Sequence, residues 1–199
     1  MSSRLAAVLW LAAIHGGCGG SPASFDREQM PELGRQVPLI SPAATINEDV
    51  SPSAGRWSVV NYWHFYCGPC LDELPVLEEF AAAHPEIEVV GVSYLFDPAE
   101  MPVDEQLGHF RRAVAAKGVN FPTLLAGRHE DLADFDFQTI PTTLLVSPQN
   151  TVEAELRGAQ GLRWFLARAA NRVRESTPQL PSAPTPSTHH PSCLQTPSG

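Results

Sequence analysis

A chain of 199 residues, 43% of them hydrophobic, has the length for one ordinary domain with extensions and enough apolar material for a core, so it needs no disulfide stapling. Its formal charge of −9 argues against nucleic acid, or an anionic membrane gripped by charge, as a partner, because phosphate binding needs clustered Lys and Arg.

Met1-Ser-Ser-Arg4 followed by the apolar run Leu5 to Ile14 reads as the n-region and h-region of a signal peptide, too short to span a bilayer as a helix. The next residues, His15-Gly-Gly-Cys18-Gly-Gly, resemble a bacterial lipoprotein cleavage site, which would make Cys18 the lipidated first residue of the mature chain. His15 departs from that pattern, which usually has an aliphatic residue there; the alternative is an ordinary signal peptide with Cys18 incidental. Residues 1–18 are therefore read as a signal peptide and 19–32 as a small, polar tether. The expected location is the periplasm or cell envelope, lipid-anchored to the membrane or otherwise secreted, where disulfides persist.

Residues 33–175 carry the pattern of a domain. Val37, Leu39 and Ile40 suggest a short edge strand interrupted by Pro38 and Pro42. Trp57 to Trp63 is β-branched and aromatic, the composition of a buried strand. Cys67-Gly-Pro-Cys70 then opens a helix with Leu71, Leu74, Leu77 and Phe80 on one face. Pro75 should kink it, and His84-Pro85 ends it. Ile87 to Ser93 is a second core strand. Asp97 to Met101 is a loop and a candidate substrate rim, and Asp104 to Lys117 a helix stopped by Gly118. A third strand is expected over Pro122 to Ala126 and a short helix over Asp131 to Phe137. Thr142 to Val146 and Thr151 to Leu156 form a hairpin, and Leu162 to Val173 a closing amphipathic helix whose wet face holds Arg163, Arg168, Arg172 and Arg174. Residues 176–199, rich in Pro, Ser and Thr, are read as a disordered tail. Strands alternating with helices give an α/β sheet covered on both faces.

Cys67 and Cys70 stand where the first strong strand hands over to a helix. A lone CxxC suits half a zinc site, a structural disulfide or a redox pair. Zinc usually wants a second close pair, and the other cysteines are Cys18 and Cys193, in the signal segment and the tail, so no metal is expected. Redox chemistry needs an attacking thiolate and a second thiol able to displace it. At a helix start Cys67 would lie exposed, its anion favoured by unpaired N–H groups, with Cys70 shielded about a turn inside.

The run Val59-Val-Asn-Tyr-Trp-His-Phe-Tyr-Cys67-Gly-Pro-Cys70-Leu-Asp-Glu73-Leu-Pro75 resembles the active-site stretch of the thioredoxin superfamily, specifically the TlpA/ResA branch of membrane-tethered bacterial thiol–disulfide oxidoreductases. Val89-Val-Gly-Val, Gly118-Val-Asn-Phe-Pro122 and Ile140-Pro141-Thr142-Thr143 extend the resemblance to about Trp57 to Val173. It implies a thioredoxin-like fold, a central mixed sheet with helices on both faces. It makes Cys67 the nucleophile and Cys70 the resolving thiol of a redox-active disulfide. Pro141 matches the cis-proline that leaves the Ile140 backbone free to pair with substrate. Tyr66, in place of a tryptophan, supplies an aromatic platform, and Gly68 and Pro69 complete the substrate-contacting turn. Asn61 occupies the place of a buried aspartate, and Glu73 matches a glutamate of this branch.

Glu73 also stands three residues from Cys70 on the same helix face, where it could take the proton from Cys70; the alternative is a first-turn carboxylate complementing the helix dipole. His64 departs from the small residue usual there and reads either as a solvated strand-end histidine or as a cation favouring the Cys67 thiolate. His84 and His109 read as surface residues and Trp63 as core or site floor. The implied activity is reduction or exchange of disulfides in exported proteins, leaning toward reduction, with no cofactor beyond the pair and an upstream thiol donor such as a membrane electron-transfer protein. Alternatives on the same fold are a thiol peroxidase, which would need Thr or Ser where His64 stands, and a Cu(I)-carrying metallochaperone, whose cysteines are usually spaced by three.

Overall fold

The computed structural model describes residues 33–37, 41–47, 55–135, 137 and 139–176. The expected signal peptide, Cys18, the tether, Cys193 and the tail beyond Ser176 lie outside them.

Six strands make one mixed sheet: β1 (Ala44–Ile46), β2 (Trp57–Tyr62), β3 (Ile87–Tyr94), β4 (Thr123–Ala126), β5 (Thr142–Val146) and β6 (Val152–Arg157), in the order β1-β4-β3-β2-β5-β6. β2, β3 and β4 run parallel, and the pairs β1/β4, β2/β5 and β5/β6 are antiparallel. The parallel strands need crossovers, which α1 (Gly68–Ala83) and α2 (Val103–Lys117) supply; α3 (Leu162–Ser176) follows β6. β2 and β3 are buried on both sides, which is why they read as nearly unbroken apolar runs.

Each face has its own core. Val59, Val89, Leu125 and Leu145 pack with Leu74, Leu77, Phe110, Phe165 and Leu166, so all three α-helices contribute to one side. Val60, Tyr62, Val92 and Leu144 pack with Leu132, Phe135 and Phe137 on the other. The second face is thus covered by the expected short helix, a 3-10 helix at His129–Phe135 that begins and ends two residues before the expected Asp131 to Phe137. Fully burying a side chain such as Leu77 contributes roughly 1.5–3 kcal/mol.

Helix ends follow the sequence signals. Gly118 closes α2 in the left-handed conformation at φ 65°, its N–H reaching the Val114 and Ala115 carbonyls. α1 runs through Pro75 as one element, with that residue on the exposed side, where the missing N–H is least costly. On α3 the arginines face water: Arg163 pairs with Glu79 at 3.0 Å, Arg172 with Glu153 at 2.7 Å, and Arg168 lies over the Trp164 ring.

The first strand corrects the sequence reading. β1 begins at Ala44, beyond Pro42, and the expected strand at Val37, Leu39 and Ile40 is replaced over its described part by an isolated bridge from Gln36 to Thr151. Leu39 and Ile40 lie outside the described residues. Proline offers no N–H to a ladder, and β1 starts beyond Pro42.

Candidate active site

β2 ends at Tyr62, and a short turn carries the chain from Trp63 into α1. The turn closes with the Cys67 N–H donating to the His64 carbonyl at 3.0 Å. Cys67 is the N-cap of α1, with Pro69 in the first turn, where its missing N–H costs nothing. Cys67 and Cys70 form a disulfide, S–S 2.07 Å and Cα–Cα 5.3 Å. The Cys70 N–H donates to Cys67 Sγ at 3.2 Å, so a helix-start amide already points at the outer sulfur. Cys70 is fully buried. Cys67 retains 9% exposure, less than its helix-start position suggested, because its sulfur is tied inward to Cys70. Gly68 and Pro69 on the same turn are exposed.

Pro141 enters at the same end of the sheet. Tyr62, last in β2, pairs with Thr142, first in β5, and the Ile140–Pro141 peptide preceding it is cis. Ile140 packs against the cluster that holds both cysteines. The Pro141 carbonyl accepts from the Gly158 N–H at 2.8 Å. Among the described residues the Ile140 backbone has no hydrogen-bond partner.

Glu73 lies one turn beyond Cys70 on the inner face of α1 and is 5% exposed. Among the described residues neither carboxyl oxygen has a hydrogen-bond partner. Burial pushes its pKa up to about 7, with nearby Asn61 pulling slightly the other way. Asn61, fully buried in β2, spends its amide on Thr143 Oγ1 at 2.9 Å. Burial thus places a carboxyl near neutrality on the same helix face as Cys70.

His64 corrects both sequence expectations. It is fully buried rather than solvated, and among the described residues both ring nitrogens lack hydrogen-bond partners. Burial holds its pKa down at about 3, only weakly opposed by the Tyr94 backbone, so at neutral pH it is an uncharged imidazole and not a cation beside Cys67. Its ring sits among Phe65, Tyr66, Tyr94, Phe96 and Phe110, with centroids 4.1–5.0 Å away. His109, expected at the surface, is half-exposed and stacks on Phe65 at 4.9 Å. His84 caps the end of α1 and pairs with Glu86. Trp63 is fully buried, donates to Thr123 Oγ1 at 3.3 Å and meets Phe110 edge-on.

This geometry has relatives. The sporulation thiol-disulfide oxidoreductase A of Bacillus subtilis (strain 168) is 29% identical over 129 residues, 63% of this chain and 74% of that protein. Thiol-disulfide oxidoreductase ResA of Bacillus cereus is 22% identical over 138 residues, 68% of this chain and 76% of its own. The crystal structure of StoA from Bacillus subtilis matches with a TM-score of 0.50 at 24% identity, covering 65% of this chain and 98% of that one. No protein-family model matches. The chain is similar to TlpA/ResA-type thiol–disulfide oxidoreductases and has a thioredoxin-like fold. It is a thiol–disulfide oxidoreductase with its redox pair at Cys67 and Cys70.

Several residues that shape this ResA-like site escaped the sequence reading. Gln106, fully buried in α2, takes the Phe96 N–H on Oε1 at 2.6 Å and donates to the Phe96 and Met101 carbonyls at 3.1 and 2.6 Å, pinning the loop after β3. Glu78 accepts from the Asn120 N–H at 2.8 Å and its side-chain amide at 2.9 Å, tying α1 to the loop before β4. Tyr94 hydroxyl lies 2.7 Å from that of Tyr66. A lone glutamine among Asp, Glu and apolar residues was the available signal for Gln106; for Glu78 and Tyr94 there was none.

Proposed function

We propose that this protein reduces disulfides of exported proteins at the cell envelope, with Cys67 attacking, Cys70 resolving and Glu73 handling the proton. The observation that carries this reading is the inner cysteine, buried in the first turn of α1, with an unpartnered carboxyl one turn further on the same face. In the reduced protein the Cys67 thiolate attacks one sulfur of the substrate disulfide. That S–S bond breaks, the other substrate sulfur leaves as a thiolate, and a mixed disulfide forms. Cys70 passes its proton to the Glu73 carboxylate and attacks the Cys67 sulfur, releasing the second substrate thiolate. The substrate gains two electrons, the pair becomes the disulfide, and an upstream thiol donor, such as a membrane electron-transfer protein, must restore the dithiol.

The site residues take distinct roles. Ile140, its backbone without a partner among the described residues, pairs with an extended substrate segment, and Pro141 shapes that approach. Tyr66, Gly68 and Pro69, all exposed around the pair, make the contact surface. A Glu73 pKa of about 7 leaves a substantial carboxylate fraction at neutral pH to receive the proton. The N-terminal run supports export, with lipidation at Cys18 as the anchor.

Direction is tested by equilibrating the Cys67–Cys70 pair with glutathione or dithiothreitol. A potential near −270 mV, about that of thioredoxin, supports a reductant, whereas one near −120 mV makes it an oxidant and sinks the directional claim. Glu73→Gln should slow release of the mixed disulfide in single turnover while leaving Cys67 attack unchanged. Equal release rates across about pH 5 to 9 would remove Glu73 from the mechanism.

A further inference from the structure

Tyr66 immediately precedes Cys67 and leaves 52% of its surface open, yet its ring is restrained at three points. Its hydroxyl bonds the Tyr94 hydroxyl at 2.7 Å. The ring stacks on Phe96, centroids 5.5 Å apart and planes within 19°. It also lies against His64, 4.1 Å between centroids. Each support is itself fixed. Tyr94 belongs to β3, Gln106 holds both backbone groups of Phe96, and His64 is fully buried among Phe65, Phe96 and Phe110. A side chain immobilised before binding gives up little further rotamer freedom on contact, so its exposed face binds more effectively than a mobile ring would.

We propose that His64 and Tyr94 are positioning residues for Tyr66, holding its ring as a fixed shelf beside Cys67 for a bulky apolar side chain adjoining the reacting cysteine of the substrate. The inference rests on the reading of Tyr66 as a substrate contact and names the substrate class that contact selects. His64 acts as neutral filler. The groups around it from the cysteine turn, β3, the loop after β3 and α2 are the rings of Phe65, Tyr66, Tyr94, Phe96 and Phe110, none carrying a negative charge at neutral pH, so an imidazolium there has no counter-ion. Phe65 continues the surface outward through its stack with the half-exposed His109.

The test uses two disulfide-bonded peptides that differ only in the residue beside one cysteine, Phe in one and Gly in the other, reduced by the dithiol form of the purified protein. The native protein should prefer the Phe peptide about tenfold in KM, with similar kcat, the difference expected from one fixed aromatic contact. Tyr66→Ala should abolish the preference. Tyr94→Phe, which removes one hydroxyl and creates little cavity, should reduce it about threefold or more. His64→Ala should do the same, and His64→Phe, a ring without nitrogens, should restore it. Cys67 thiol pKa, followed by thiolate absorbance, should stay constant across the His64 and Tyr94 variants. If His64→Ala does not fold, Tyr94→Phe decides alone. Preference lost in Tyr66→Ala but kept in Tyr94→Phe overturns the positioning role and leaves Tyr66 as a contact. No preference in the native protein overturns both. Loss of preference in His64→Phe, or a moved Cys67 pKa, assigns His64 an electrostatic role and overturns the proposal.

Discussion

Replacing Glu73 with glutamine should change how stability depends on pH, and the size follows from two buried groups of opposite sign. Glu73 has its folded pKa raised from 4.5 to about 7, so the native state holds a proton that the unfolded chain releases. Its contribution is fully present below pH 4.5 and is lost as pH rises through about 7. His64 has its folded pKa lowered from 6.5 to about 3, so the unfolded chain binds the extra proton. Its contribution is fully present above pH 6.5 and is lost as pH falls toward about 3. Integrated from about pH 7 down to about pH 5, Glu73 adds about 2 kcal/mol and His64 removes about 2 kcal/mol. In the native protein these slopes nearly cancel. Glu73→Gln exposes the histidine limb, so the oxidised variant should lose about 2 kcal/mol relative to wild type over that interval. Urea unfolding of both proteins at three pH values, with the disulfide intact and m constant, measures it. Parallel pH profiles for the two proteins would show that Glu73 titrates as an ordinary surface carboxylate, and the argument for its proton role would fall with that result.

Other substitutions probe the scaffold. His64→Phe should show the mirror image, gaining about 2 kcal/mol relative to wild type on acidification over the same interval, read by the same urea series. Gly91→Ala places a Cβ 2.7 Å from Trp63 Nε1 and against Thr123, with no room on either side, and should lower stability by about 1–3 kcal/mol in urea. Gln106→Ala strands the Phe96 N–H and the Phe96 and Met101 carbonyls. Amide exchange at Phe96 should accelerate at least about tenfold, and unchanged protection would show the loop is held by other contacts.

The strand–helix order was legible because periodicity and punctuation agree locally. Trp57 to Tyr62 is β-branched and aromatic, Gly118 stops α2, and the closing hairpin turns at Ser147-Pro-Gln-Asn150. β1 was missed because three residues, Ala44-Thr-Ile46, are too few for an alternation to register, and their partner β4 lies almost eighty residues away in the chain. The short helix was legible, but its 3-10 hydrogen-bond step is a detail that composition does not encode. Within the site, the spacing of Cys67 and Cys70 singled them out while leaving zinc and redox chemistry open; the resemblance implied their disulfide, which the structure contains. Burial did not announce itself. His64 carries the same letter whether it faces water or Phe110, and only the return of β3 and α2 over the cysteine turn encloses it.

That enclosure moves two pKa values in opposite directions. Two titratable side chains close to the cysteine turn are buried without hydrogen-bond partners among the described residues, and desolvation moves both toward their neutral forms. For an acid that means a higher pKa and for a base a lower one, so the same burial drives the two apart in usefulness. Glu73 is carried from 4.5 to about 7, into the range where it exchanges a proton at neutral pH, and His64 from 6.5 to about 3, out of it. The imidazole, ordinarily the first candidate for acid–base work beside a thiol, is thereby kept neutral, which is why the proposed acceptor of the Cys70 proton is the carboxyl on the helix.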